Sequence, residues 1–387
     1  MSLFMIWANI QGGTNAFLHK ISNGSTLARA LQTKKIGEAI MDNILGIMTH
    51  RITRPESFTR HARSALAEKF EGVIIYTPKD VNLEKREIRG CVYKSGSWAW
   101  KKVPYPKINM DIGFYPPALE GRASRVKKSK QLRFTGYGLG NKCKIQSHLI
   151  GSSVLQPYLL PTEKVNSAQQ FIQFLRKHKS IMLKPINGWG GRGIIRVTLE
   201  NEHFVVQRDG KAKLSLPSSR LDSYIRGVLK SGRHLMQKWI DIRNKNGKVF
   251  DIRALMQKKD DGDWVMTGMA VREGMKDKIT SNIKSGGDAF KVEDYLEKEQ
   301  GSENGAALTK SIVEVAEYIP EFVEKSYKSR LSELGIDLAV DRSGNLWLIE
   351  INIKPGKMII KRLYGKKAWE QCLHIPFHYA RNLLAKK

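Results

Sequence analysis

Read as a run of apolar and polar positions, the chain changes period several times. Ile44-Leu45-Gly46-Ile47-Met48 and Val73-Ile74-Ile75-Tyr76 are continuous apolar runs that predict buried strands, with a helix expected from Pro55 to Phe70 between them. Arg89 to Val103 alternates around glycine-containing turns and predicts a hairpin with Trp98 and Trp100 on one face, a spacing that favours packing over base stacking. Ser167 to His178 predicts a helix, and Ile181 to Pro185 and Ile194 to Val197 predict strands on either side of a glycine-rich loop. Leu235 to Asp241, Val249 to Lys258 and Trp264 to Arg272, divided by turn signals at Asn244 to Gly247 and Asp261 to Asp263, predict an antiparallel meander. Leu308, Ile312, Val315 and Ile319 recur at helical spacing, and Pro320 is expected to break or kink that helix before Phe322 to Leu334 continues it. Two apolar runs then flank the polar cluster Asp341 to Asn345 and predict a β-hairpin, after which Pro355-Gly356 turns into a basic helical tail.

That last hairpin brings chemistry together. With Ser343-Gly344 as a two-residue turn, or Arg342 to Asn345 as a four-residue loop, Asp337 falls opposite Glu350, and Asn352 shares the face of Glu350 because side chains alternate with period 2. Like charges directly opposite destabilise a hairpin, so a positive group is expected between them, and the all-oxygen set suits Mg²⁺ shared with a nucleotide phosphate. The plainer alternative is a solvated face that carries two acids. The loop Asn187 to Gly193 joins strand to strand, whereas a Walker loop or a dinucleotide fingerprint opens a helix, so both of those nucleotide folds are disfavoured. Its glycines still let backbone N–H groups approach phosphate, with Lys184 just ahead as a point charge; the alternative is a flexible hairpin tip. On the strand after Val249, Asp251 and Arg253 share a face, which makes Arg253 either a partner of Asp251 or a phosphate clamp. The loop Ser281 to Gly287 has the polar, glycine-bearing character of a substrate cover or of a simple connection. His374 and His378 are four apart, but Pro376 between them argues against a helical metal pair.

Composition narrows the class of partner. The 387 residues are 41% hydrophobic, enough for two or three folded domains, and 66 Lys+Arg against 37 Asp+Glu give a net charge of +29 that draws nucleotides, nucleic acid or other polyanions. Arg122 to Arg133 is densely basic and is expected to be a linker or exposed edge, either merely solvated or in contact with an anion. The three cysteines, Cys91, Cys143 and Cys372, lie far apart in no C-x-x-C pair, which points away from disulfides and zinc and towards a reducing compartment. No apolar run reaches the ~18 residues of a membrane span, and Leu3 to Ile10 lacks a basic leader and cleavage pattern. A soluble cytoplasmic protein is expected.

Taken in order, the motifs Asn141-Lys142 with Leu160-Pro161-Thr162, Leu183-Lys184-Pro185 with Gly188 to Gly193, Phe250 to Arg253, Gly268 to Arg272, Ser281-Asn282 with Gly286-Gly287, and Gly335-Ile336-Asp337 with Ile349 to Asn352 resemble the ATP-grasp superfamily, and as a set its YheC/YheD-like, spore-coat-associated group. The resemblance implies an α+β ATP-grasp fold of two subdomains with antiparallel sheets at 141–373, behind a small α/β lobe at 43–140. An N-terminal extension at 1–42 of no assigned role and a basic tail at 374–387 complete the chain. It further implies ATP and Mg²⁺ as cofactors, with Lys142 and Lys184 on the α- and β-phosphates and Gly188, Gly190, Gly191 and Gly193 folding over them. Gln237, Lys238, Trp239 and Ile240 would form the hinge that binds adenine through its backbone, and Asp337, Glu350 and Asn352 would hold the metal. Arg253, Arg272 and Asn282 would face the γ-phosphate and an acceptor carboxylate. The typical reaction activates a carboxylate as an acyl phosphate that an amine attacks. The implied partners are an amino-acid or peptide substrate and a polyanion or spore-coat contact. A scaffold that binds polyanions without turnover is the alternative.

Overall fold

The computed structural model describes residues 43–187, 193–259, 262–275, 279, 281 and 287–386. The expected segment 1–42 and the site candidates Gly188, Gly190, Gly191 and Asn282 lie outside them. The chain divides into two compact units, one ending at Phe134 and the other beginning at Thr135.

The first unit holds β1 (Ile44–Met48), α1 (Thr59–Ala67), β2 (Gly72–Tyr76), β3 (Val81–Asn82), β4 (Glu87–Lys94), β5 (Ser97–Pro104), β6 (Ile108–Asp111) and α2 (Pro117–Lys128). Its sheet runs β3-β4-β2-β1-β6, with β5 on β4, and β1 is parallel to both β2 and β6. Every residue of β1 and β2 is buried, as their uninterrupted apolar runs require of strands covered on both faces. Of the basic stretch Arg122 to Arg133, expected to be a linker or an exposed edge, the part up to Lys128 is no linker but the second half of α2, with Arg122, Arg125 and Lys128 exposed. Leu119, Ala123 and Val126 supply a narrow buried stripe at helical spacing that docks the helix, joined by Lys127 in an ion pair with Asp111 and by Arg122 on the Pro78 carbonyl.

The second unit carries two antiparallel sheets. α3 (Lys142–Leu149) is followed by β7 (Thr162–Lys164), α4 (Ala168–His178), β8 (Ser180–Pro185), β9 (Ile195–Glu200), β10 (His203–Gln207), β11 (Leu214–Pro217), α5 (Leu221–Lys230) and β12 (His234–Lys238). The sheet order is β11-β10-β9-β8-β12-β7, and Phe171 and Leu175 of α4 and Ile225 of α5 pack on Ile181, Val197 and Phe204. Ser167 caps α4 by accepting the N–H of Gln170. β13 (Phe250–Lys258), β14 (Trp264–Glu273), β15 (Asp288–Phe290), α6 (Val292–Gln300), α7 (Ser302–Tyr327), β16 (Glu333–Val340), β17 (Leu346–Asn352) and α8 (Met358–Ala385) complete the chain. They form a second sheet, β15-β14-β13-β16-β17, whose apolar face packs on α7 and whose opposite side receives Ile359, Ile360 and Cys372 of α8.

Two expectations are corrected here. The strand before Asn244 ends at Lys238 and belongs to the first of these sheets, so it forms no meander with β13; only β13 and β14 pair. Helix α7 runs through Pro320, because burial of Ile312, Val315, Ala316, Ile319 and Val323 outweighs the ~3 kcal/mol that an interior proline costs. It then stops at Tyr327, where Lys328 takes a left-handed conformation, and Leu334 lies in β16. The basic tail after Pro355-Gly356 is helical as expected, and its stretch from His374 is anchored by buried Phe377, Tyr379 and Ala380.

Candidate active site

The β16–β17 hairpin places Asp337 opposite Glu350, by a route that differs from either expected turn. Asp341 and Asn345 close a three-residue loop, with the Asp341 N–H on the Asn345 carbonyl at 3.0 Å and Gly344 at φ +82°. The Asp341 carboxylate also accepts the N–H groups of Ser343 (2.9 Å) and Asn345 (3.0 Å) and the Trp347 indole (2.8 Å). Leu338 then pairs with Leu348 but Asp337 with Glu350, so Ile349 is an extra residue absorbed in a bulge. Leu346, Leu348 and Ile351 thus stay in the α7 core, while Glu350 and Asn352 keep the face of Asp337.

Asp337 is 4% exposed and is the hub of a charged ladder. Arg253, its register partner on β13, bonds it through both Nε and Nη2, the latter at 2.9 Å. Arg272 on β14 reaches it at 3.1 Å while gripping Asp251 at 2.6 and 2.5 Å, and Asn352 donates to it at 3.1 Å. Asp251 is therefore the partner of Arg272, and Arg253 belongs to Asp337. Burial pushes the Asp337 carboxyl up, but Arg253 and Arg272 together overcome this and hold it below the usual carboxylate range. Gly335 is required beside this ladder, since a methyl there would come within 2.7 Å of Pro355 Cβ.

Across from the ladder, Lys142 at the start of α3 forms an ion pair with Glu350, and Lys184 on β8 donates to Gln237 Oε1 at 2.5 Å. Gln237 in turn donates to Thr162 Oγ1 at 2.9 Å. Lys142, Thr162, Lys184, Gln237, Leu348 and Glu350 line one cleft of about 50 Å³. Desolvation by the surrounding protein lowers the Lys184 ammonium to about 8; the Glu350 and Asp337 charges oppose that fall and Lys142 adds to it. At the strand end the Lys238 and Trp239 N–H groups are taken by the carbonyls of Pro161 (2.9 Å) and Ser180 (3.0 Å). Among the described residues no group accepts the N–H of Ile240, and the Trp239 ring is covered by the Arg196 guanidinium at 3.5 Å. Gly193, the described member of the glycine loop, sits at φ +73° over Pro185. Ser281 is buried and hydrogen-bonded to Asp251.

Residues 131–383 match the family described as YheC/D like ATP-grasp. The chain belongs to that family. Endospore coat-associated protein YheC of Bacillus subtilis (strain 168) is 29% identical over 325 residues, which cover 81% of this chain and 88% of that protein. Endospore coat-associated protein YheD of the same organism is 26% identical over 303 residues, covering 74% of this chain and 64% of YheD. Among solved structures, D-alanyl-alanine synthetase A from Vibrio cholerae O1 biovar eltor str. N16961 superposes with a TM-score of 0.54 at 12% identity, over 87% of this chain and 98% of that one. VanG D-Ala:D-Ser ligase from Enterococcus faecalis gives 0.52 at 12% identity, over 87% and 99%. The fold is the ATP-grasp fold.

The ATP-grasp architecture brings together Lys142, Lys184, Gln237, Arg253, Arg272, Asp337, Glu350 and Asn352 from seven elements. The sequence reading gave no role to Thr162, which orients Gln237, nor to Leu348 and Ile349, which wall the cleft beside Glu350. The only signal for Ile349 was a spacing one residue longer than a regular hairpin with this loop needs. Among the described residues no group of three His, Cys, Asp or Glu is placed to hold a metal, and His374 and His378 lie on α8.

Proposed function

We propose that this ATP-grasp chain is an ATP- and Mg²⁺-dependent carboxylate–amine ligase that acts through an acyl phosphate on an amino-acid or peptide acceptor. The observation that carries this reading is the convergence of Lys142, Lys184 and Glu350 on one cleft, with Glu350 on the strand face that it shares with Asp337 and Asn352. The fold likeness to D-alanyl-alanine synthetase and D-Ala:D-Ser ligase supports it at the level of scaffold.

Asp337, Glu350 and Asn352 offer hard oxygen donors that fit Mg²⁺, which would neutralise phosphate charge when bound. Lys142 and Lys184 supply the remaining positive charge: Lys184 is held by a neutral amide and so is ready to exchange it for a phosphate oxygen. Arg253 and Arg272 each grip a carboxylate through Nε and Nη2, leaving Nη1 without a partner among the described residues. One edge of each guanidinium is thereby fixed and the other can meet the γ-phosphate or the acceptor carboxylate. Ile240 N–H is the hinge donor available to adenine. A cleft of about 50 Å³ has room for only a water or two, so nucleotide entry requires Lys142 to leave Glu350.

Titration of the purified protein with ATP and Mg²⁺ tests the site, using Glu350→Ala and Lys184→Ala beside the wild type. Unchanged affinity in both variants would sink the assignment. An acceptor screen with amino acids and acidic peptides follows; ADP together with a new amide supports ligation, and ADP without one points to a kinase.

A second reading is favoured by the coat-associated relatives and the +29 charge: a spore-associated scaffold that binds ATP or polyanions without turnover. It predicts salt-sensitive polyanion binding and no ADP release under any acceptor.

A further inference from the structure

The first unit carries a cavity of about 540 Å³ that the ligase reading does not use. It is lined by Lys79, Arg89, Arg122 and Arg125 over an apolar floor of Val81 and Val126. These charges come from separate elements: Arg89 from β4, and Arg122 and Arg125 from one face of α2, three residues apart. Arg122 is fixed in place, its Nε donating to the Pro78 carbonyl at 2.9 Å and its Nη2 to Lys79 at 3.2 Å and Val81 at 3.4 Å. Arg89 lies over the Trp100 ring at 5.7 Å. Among the described residues no ion pair joins Lys79, Arg89, Arg122 or Arg125 to a carboxylate.

Two acids lie on the lining. Asp80 is turned into its own helical cap, accepting the Thr77 N–H at 2.9 Å and hydroxyl at 2.6 Å, and Glu84 stands on the exposed β3–β4 turn. The cavity therefore gathers four cations, one of them locked by three carbonyls, against two acids that form no ion pair with them among the described residues. Guanidinium groups suit carboxylates and phosphates bidentately, and small-molecule sites typically span about 300–1,000 Å³.

The geometry points to a binding site here for a compact anion carrying two or more carboxylate or phosphate groups. It goes beyond the ligase reading and does not depend on it. Isothermal titration of the full chain at about 150 mM salt, with citrate and with tripolyphosphate as separate titrants, tests it. The tripolyphosphate arm is repeated in Lys184→Ala so that the nucleotide cleft is not what is read. One saturable site is expected for at least one titrant, weakened about tenfold or more in Arg89→Glu/Arg125→Glu and unchanged in Lys310→Glu, whose side chain is 80% exposed on α7. Citrate alone identifies a carboxylate ligand, tripolyphosphate alone a phosphate ligand. Should the double variant fail to fold, Arg125→Gln carries the same comparison. Absence of saturable binding to both titrants, or equal weakening by Lys310→Glu, overturns the proposal.

Discussion

The two sheets of the second unit face the same cleft with opposite electrostatic strategies. On the β13–β14–β16–β17 side the buried Asp337 is paired with Arg253 and Arg272 and the buried Asp251 with Arg272, and the partly exposed Glu350 with Lys142. On the β8–β12 side the Lys184 ammonium rests against the Gln237 amide, which is itself held by the Thr162 hydroxyl. The first arrangement is stable as it stands and rigid. The second is under-compensated, which is why burial lowers Lys184 to about 8 and why an arriving phosphate would gain most there. Preorganisation and readiness to bind are thus divided between the sheets.

The largest effect is expected from removing the hub of the paired side. Asp337→Ala leaves two buried arginines without their shared carboxylate and should cost about 3–5 kcal/mol in urea unfolding, whereas Glu350→Ala, whose side chain is 33% exposed, should cost about 1 kcal/mol or less. Equal costs would mean that the ladder is not the stabilising half. Next, Lys184→Ala and Glu350→Ala should each raise the Kd for ATP with Mg²⁺ by about tenfold or more without lowering the melting temperature much, since neither truncation orphans a fully buried charge.

The pH dependence separates the sides further. Lys184 loses its proton near 8, so nucleotide affinity should fall as pH rises from 7 to 9, and Lys184→Ala should flatten that profile. The sign for stability is opposite. Because the folded-state value lies below the unfolded 10.5, the unfolded chain binds more protons between about 8 and 10.5, and this group makes the empty protein more stable as pH rises through that window. A profile that stays flat in the wild type would remove the under-compensated lysine from the comparison. The smallest effect is expected from deleting Ile349. Leu348 and Glu350 would keep their partners Leu338 and Asp337 in a regular ladder, so the melting temperature should stay within a few degrees while nucleotide affinity drops about threefold from the lost apolar wall.

Much of this was legible in the order of residues. Period-2 and continuous apolar runs located β1, β2, β8 and β9, and the alternation through 335–352 placed Asp337 across from Glu350. What failed was pairing at a distance. Asp251 and Arg253 share a face two residues apart, which left Arg253 as a partner of Asp251 or a phosphate clamp, yet cross-strand neighbours are closer than that, and Arg272 and Asp337 lie directly opposite them. Turn signals after Asp241 suggested a meander because local chemistry says where a strand ends and nothing about which sheet receives it. The helix α2 was hidden under its own charges, since three apolar side chains suffice when one narrow face is covered.

The bulge at Ile349 has a further consequence for shape. A bulge adds local right-handed twist, so the seven residues of β17 do not form one flat ribbon. Leu346 and Leu348 answer to the packing of α7, while Glu350 answers to Lys142 across the cleft and Asn352 to Asp337. Within one strand, the mechanical half and the chemical half are decoupled by a single residue, and each can vary its side chains without dragging the other out of phase.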